Sequence, residues 1–272
     1  DGGMPPLSLA ALTILDAGPA GQIRAAAEAG WTSVGLRLNP LLDTDQRVVG
    51  EPAREREVEA LMRGAGMKLL EVGVFPIKPA LDVGALEPVI AFSAKLSARF
   101  LVCPVEDDDE ARRRATFARL CDLAAKYDLD ALAEFNPYSA CRNLKGAVDL
   151  VTSVGKRNAG LVIDALHLSR SGGRPEDLGG VDPALLRLVH FTDATAFAPG
   201  EKSVDELRRE SRTARLLPGE GALWLRDLLA ALPQACAISL EAPSAKYAHL
   251  PAAERARIAL DRTTAFMAAA AG

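Results

Sequence analysis

Eight short apolar runs, each followed by a longer stretch mixing apolar and charged residues, constrain the fold of this chain more than any other feature. The runs are residues 7–14, 33–38, 68–75, 100–105, 131–135, 160–164, 186–192 and 237–241. Most begin 26 to 35 residues after the one before, the length of a strand plus a crossover helix. They are continuously apolar and do not alternate, as strands covered on both faces should be. Between them, residues 20–29, 54–64, 86–96, 109–127, 144–154 and 222–232 carry apolar and charged residues at helical spacing, and 252–270 reads as a closing helix. Gly30, Gly64-Ala65-Gly66 and Gly155 stand where those helices should stop.

Strict alternation of eight strands with helices in 272 residues predicts one α/β domain, a (β/α)8 TIM barrel over residues 1–272. An open doubly wound sheet competes, but it usually carries a Gly-rich phosphate turn after its first strand. Ala17-Gly18-Pro19-Ala20-Gly21 does not match that turn. The long charged connection 192–221 is expected to carry an extra helix over the barrel mouth. With 49% hydrophobic residues a full core is assured, and a net charge of −4 argues against a nucleic-acid partner. No apolar run approaches the roughly 20 residues needed to span a bilayer. Cys103, Cys121, Cys141 and Cys236 include no C-x-x-C and are expected to be reduced thiols in a cytoplasm. Asp1-Gly2-Gly3 reads as an added leader before a native Met4.

Charge interrupts the last four strands at similar points. The runs read Leu132-Ala133-Glu134-Phe135, Leu161-Val162-Ile163-Asp164, Leu188-Val189-His190-Phe191 and Ile238-Ser239-Leu240-Glu241. Matched positions on parallel strands should share a layer near the C-terminal mouth, where barrel enzymes place their chemistry. Three carboxylates crowded in a low-dielectric site repel one another unless a positive charge sits among them. A divalent cation held by Glu134, Asp164, His190 and Glu241 meets that need. Three oxygen ligands and one nitrogen suit Mn²⁺ or Mg²⁺ best, with Co²⁺ and Zn²⁺ behind them. Such an ion would favour proton loss beside a substrate carbonyl, with Glu134 and Glu241 as proton carriers.

This pattern resembles the sugar phosphate isomerase/epimerase superfamily, the xylose isomerase-like TIM barrels. That group includes tagatose and psicose epimerases, inosose dehydratase, hydroxypyruvate isomerase, dehydroshikimate dehydratase and endonuclease IV. Glu134 matches its first metal glutamate, Asp164 and His167 its Asp-x-x-His element, and His190 and Glu241 its third and fourth ligands. Arg215-Leu216-Leu217-Pro218-Gly219-Glu220-Gly221 resembles its Pro-Gly-x-Gly turn. One departure stands out. The ketose epimerases carry a catalytic arginine soon after the third ligand, whereas residues 193–199 contain none here and the next arginines are Arg208, Arg209, Arg212 and Arg215.

The resemblance implies an isomerase or epimerase of a small polyhydroxy carbonyl compound, acting as a homodimer or homotetramer without nucleic-acid or membrane partners. A dehydratase of an inosose- or dehydroshikimate-like substrate shares the same ligand set and stays open. An endonuclease is disfavoured by three histidines and an acidic balance, and a metal-free binding barrel is the remaining alternative. His167 is expected to touch substrate and serve catalysis. Arg37, Glu71, Asp193 and Arg215 are further substrate-binding candidates, with barrel-layer salt bridges or loop capping as their ordinary readings. Arg170-Ser171-Gly172-Gly173-Arg174 reads as either an anion contact or a surface turn.

Overall fold

In the computed structural model, which describes residues 6–271, eight parallel strands pair in chain order and the eighth returns to the first, closing a barrel. The expectations for Asp1–Met4 fall outside the described residues. The strands are β1 (Leu7–Leu9), β2 (Ser33–Arg37), β3 (Lys68–Gly73), β4 (Phe100–Pro104), β5 (Asp130–Glu134), β6 (Ala159–Asp164), β7 (Leu186–Phe191) and β8 (Ala237–Leu240). The helices are α1 (Gly18–Ala29), α2 (Pro52–Ala65), α3 (Glu87–Lys95), α4 (Glu110–Ala125), α5 (Leu144–Val154), α6 (Ala165–Arg170), α7 (Val204–Thr213), α8 (Leu225–Ala231) and α9 (Ala252–Ala271). Glycines 30, 66 and 155 end α1, α2 and α5 as expected.

Two local readings change. The apolar stretch 7–14 is not one strand: β1 stops at Leu9 and a 3-10 helix runs over Ala11–Ala17. The six-residue α6 was not foreseen; it starts directly after Asp164, whose carboxylate caps it by accepting from the N–H groups of Leu166 (2.8 Å) and His167 (3.2 Å). The extra helix expected in the 192–221 connection is α7, begun by a capping box between Ser203 and Glu206.

Two apolar layers hold the site in place. The larger packs the outer strand faces against the helices. A separate cluster of Leu70, Phe100, Val102, Leu132, Val162 and Leu188 fills the barrel. Side chains two residues apart on a strand share a face, so Glu134, Asp164 and His190 sit one step above Leu132, Val162 and Leu188, on the floor of the mouth. All four cysteines are buried and unpaired. Among the described residues no helix is long and apolar enough to cross a membrane.

Candidate metal centre

Glu134 ends β5, Asp164 ends β6, His190 is the penultimate residue of β7, and Glu241 is the first residue past β8. Across the sheet, Glu134 pairs with Val162, Asp164 with His190, and His190 with Ser239. The four therefore do not share one register level, as the sequence suggested, but climb in two-residue steps at either end. Each step keeps the side chain on the inner face, and the tilt of strands in a closed barrel brings staggered positions to a common height.

One donor atom from each of the four lies within 4.8 Å of every other. His190 Nδ1 is 3.1 Å from Glu134 Oε2, 3.0 Å from Glu241 Oε2 and 3.9 Å from Asp164 Oδ2. Donors bound at about 2.1 Å to one ion, roughly at right angles, stand about 3 Å apart. Glu134 Oε2, Asp164 Oδ2 and His190 Nδ1 are buried without a hydrogen bond. Buried polar atoms rarely lack partners. Three buried donor atoms that face one another, held by charge contacts and not by hydrogen bonds, fit a small divalent cation.

Without such an ion the cluster balances itself with protons and one arginine. Burial alone would lower the pKa of His190, but the charges of Glu241 and Glu71 outweigh it and hold the ring well above its ordinary value, as an imidazolium. Burial would raise Asp164 and Glu241, yet both are held below the usual carboxylate range. For Asp164 the opposing charges are Arg215, His167 and His190; for Glu241 they are His190 and Arg215. Arg215 is 1% exposed. Its Nη1 lies 3.1 Å from Asp164 Oδ1, and its Nη2 lies 2.9 Å from Asp164 Oδ2 and 3.4 Å from Glu241 Oε2. Its Nε donates to the carbonyl of Ser211 at 2.7 Å. An arginine thus reaches the cluster from the end of the long connection, although none follows His190 closely in sequence.

Above the cluster opens a cavity of about 410 Å³, lined among others by Glu71, Glu134, Tyr138, His167, Arg215 and Glu241. His167 is buried, with Nε2 3.7 Å from Asp164 Oδ2 and Nδ1 free of any partner. Tyr138 was missed. It stands in the loop after β5, meets the His167 ring edge-on at 5.7 Å, and its hydroxyl is 3.1 Å from Ser211 Oγ on α7. Burial pushes its phenol pKa upward. The only hint in the sequence was position, an aromatic residue in a βα loop at the mouth.

The other candidates are placed differently. Glu71 turns its carboxylate to His190 Nε2 and Ser239 Oγ. Arg37 lines the cavity and a neighbouring one of about 660 Å³ while pairing with Asp45 at 3.3 Å. Asp193 faces neither substrate space nor His190: its two oxygens accept from the N–H groups of Ala194, Gly219, Gly221 and Leu223 at 2.9–3.0 Å. A Cβ on Gly221 would fall 2.4 Å from Asp193 Oδ1, so this loop requires glycine there. Arg170 is buried against the Glu210 carboxylate of α7, with Nε 2.6 Å from Oε1 and Nη2 2.8 Å from Oε2.

A family model described as the xylose isomerase-like TIM barrel matches residues 23–266. The chain belongs to that family. Among curated members, the inosose isomerase of Halalkalibacterium halodurans is 28% identical over 149 residues, covering 53% of this chain and 50% of the relative. The chain spans about half the length of the curated relatives it matches. Among solved structures of the fold, the IolI protein with a bound zinc atom superposes with a TM-score of 0.78 at 18% identity, covering 98% of this chain and 99% of that one. The D-psicose 3-epimerase of Clostridium cellulolyticum H10 gives 0.71 at 14% identity, covering 97% and 99%.

Proposed function

We propose that this family member is a divalent-metal-dependent isomerase or epimerase of a keto-sugar or related polyhydroxy carbonyl compound, with Glu134, Asp164, His190 and Glu241 holding the ion. The observation that carries the reading is the convergence of four donor atoms within 4.8 Å of one another on the floor of the cavity, three of them buried without a hydrogen bond. The inosose isomerase relative supports the isomerase reading, and the zinc-bound IolI structure raises Zn²⁺ beside Mn²⁺, Mg²⁺ and Co²⁺ as an ion to test. Bound there, the ion would polarise a substrate carbonyl and favour loss of a proton from the adjacent carbon.

The chain's own groups divide the remaining work. Glu134 and Glu241 come from β5 and the end of β8 and both line the cavity, so one accepts the proton and the other returns one. Return to the opposite face gives an epimer, and return to the neighbouring carbon gives an isomer. Arg215 keeps Asp164 and Glu241 ionised. His167 lines the cavity and is the imidazole available to a substrate hydroxyl, and Tyr138 and Ser211 narrow the entrance from the side of α7.

A dehydratase is the second reading, favoured by His167, which lines the cavity beside the cluster where a departing hydroxyl would sit. Incubation of inososes, ketoses and dehydroshikimate with each metal in deuterated water, followed by NMR, tests both. Deuterium beside the carbonyl of a saturated isomeric product supports the isomerase, and an unsaturated product transfers the assignment to the dehydratase. Metal-loaded protein that exchanges no hydrogen across this panel refutes both.

A further inference from the structure

At the other ring nitrogen of His190 lies a buried arrangement that the proposed reading leaves unused. Glu71 of β3 reaches across the barrel to place Oε2 2.7 Å from His190 Nε2, and its Oε1 accepts from Ser239 Oγ at 2.5 Å. Glu71 is 4% exposed and Ser239 is fully buried. Room for the carboxylate comes from β2. A Cβ on Gly35, the register partner of Glu71, would lie 2.7 Å from Glu71 Cγ and 2.9 Å from Oε1, closer than real Cβ atoms approach. Three strands therefore cooperate to present one carboxylate to one imidazole nitrogen.

An imidazole can give a lone pair to a cation only from its unprotonated nitrogen, and the partner of the other nitrogen decides which one that is. In His190 Nε2 is engaged by Glu71, whereas Nδ1 faces the carboxylate cluster, 3.1 Å from Glu134 Oε2 and 3.0 Å from Glu241 Oε2, where a cation would replace its proton. Ser239 occupies the second oxygen of Glu71 and anchors the carboxylate away from the cluster, so that Glu71 does not join the ligands. We infer that Glu71 is a positioning residue: by accepting a hydrogen bond from the Nε2–H of His190 it fixes the ring orientation and the tautomer that presents the Nδ1 lone pair to the cation. This rests on the proposed metal site.

The test uses the full chain with Glu71→Gln and, separately, Ser239→Ala. Each metal-free protein is titrated with Zn²⁺ by calorimetry, and the histidine ring nitrogens of the zinc-loaded proteins are read by ¹⁵N NMR. Glu71→Gln keeps the size of the side chain and should weaken Zn²⁺ binding about tenfold to a hundredfold. Ser239→Ala, which leaves the Glu71 charge in place, should weaken it by less. The wild-type spectrum should show the His190 proton on Nε2. A lower melting temperature with unchanged zinc affinity in both variants would make Glu71 a structural residue only and overturn the inference. So would a wild-type proton on Nδ1. If Glu71→Gln does not fold, unchanged affinity in Ser239→Ala overturns it and weakened affinity supports it. Wild-type protein that takes up neither Zn²⁺ nor Mn²⁺ overturns the metal-site reading instead, a separate result.

Discussion

Replacing Arg215 by Met keeps most of the buried volume but removes the one arginine that touches two cluster carboxylates. The guanidinium lies 2.9 and 3.1 Å from the Asp164 oxygens and 3.4 Å from Glu241 Oε2, and Arg215 and Asp164 are each 1% exposed. Removing one member of a buried ion pair leaves the other charge uncompensated, at a cost of about 3–5 kcal/mol. For a chain of this size each kcal/mol lowers the melting temperature by about 2–4 °C, so metal-free Arg215→Met should melt roughly 6–20 °C below wild type. A bound cation supplies the missing positive charge. The deficit should therefore shrink when both proteins are saturated with Zn²⁺, and by linkage the variant should bind Zn²⁺ more tightly than wild type. Differential scanning calorimetry of both proteins, stripped with chelator and then reloaded near neutral pH, gives the four melting temperatures. Equal deficits with and without metal would refute the coupling of Arg215 to the site, and an unchanged metal-free melting temperature would refute its role in balancing the carboxylates.

Three further expectations concern the cluster and the loop beside it. In the chelator-treated protein the raised pKa of His190 contributes stability that is fully present below about pH 6.5 and lost as pH rises through its higher folded value. The lowered pKa values of Asp164 and Glu241 contribute stability present above about pH 4.5 and lost in acid. Metal-free stability should thus peak in mild acid and decline toward alkaline pH. Zn²⁺ binding near neutrality should release close to one proton, read as a buffer dependence of the calorimetric heat; a heat independent of buffer contradicts a protonated His190. Asp193→Asn should turn an NH₂ group toward backbone N–H donors that the carboxylate now accepts, costing about 1–3 kcal/mol in urea unfolding while leaving Zn²⁺ affinity unchanged. Loss of zinc affinity in that variant would return Asp193 to the metal site.

The barrel was legible because its strands are apolar on both faces and spaced by one crossover each. Where that signal lacks a period it misleads: the stretch 7–14 is apolar apart from Ser8 and Thr13, and nothing in it separates the three residues of β1 from the 3-10 helix that follows. Helix α6 was invisible for a related reason, since six residues are too few to show periodicity and its cap, Asp164, already ends a strand. The four cluster residues stood out as polar groups in apolar strands, but their staggered register depends on barrel tilt, which one sequence does not display. Partners were harder still. Glu71 meets His190 across 119 positions and Arg215 meets Asp164 across 51, so no local pattern records either contact. Asp193 and Arg170 carried charge beside the mouth, and the sequence left each open between a ligand contact and a loop or turn role. In the fold their charges serve a loop and a helix–helix pair.

The central claim is that four side chains share one divalent cation. A crystal of the protein grown after dialysis against Mn²⁺, with diffraction recorded on both sides of the manganese absorption edge, tests it directly. The account predicts one anomalous peak about 2.0–2.6 Å from His190 Nδ1 and from carboxylate oxygens of Glu134, Asp164 and Glu241. An anomalous map with no peak among these four residues at saturating Mn²⁺, or a peak coordinated through His190 Nε2, would contradict it.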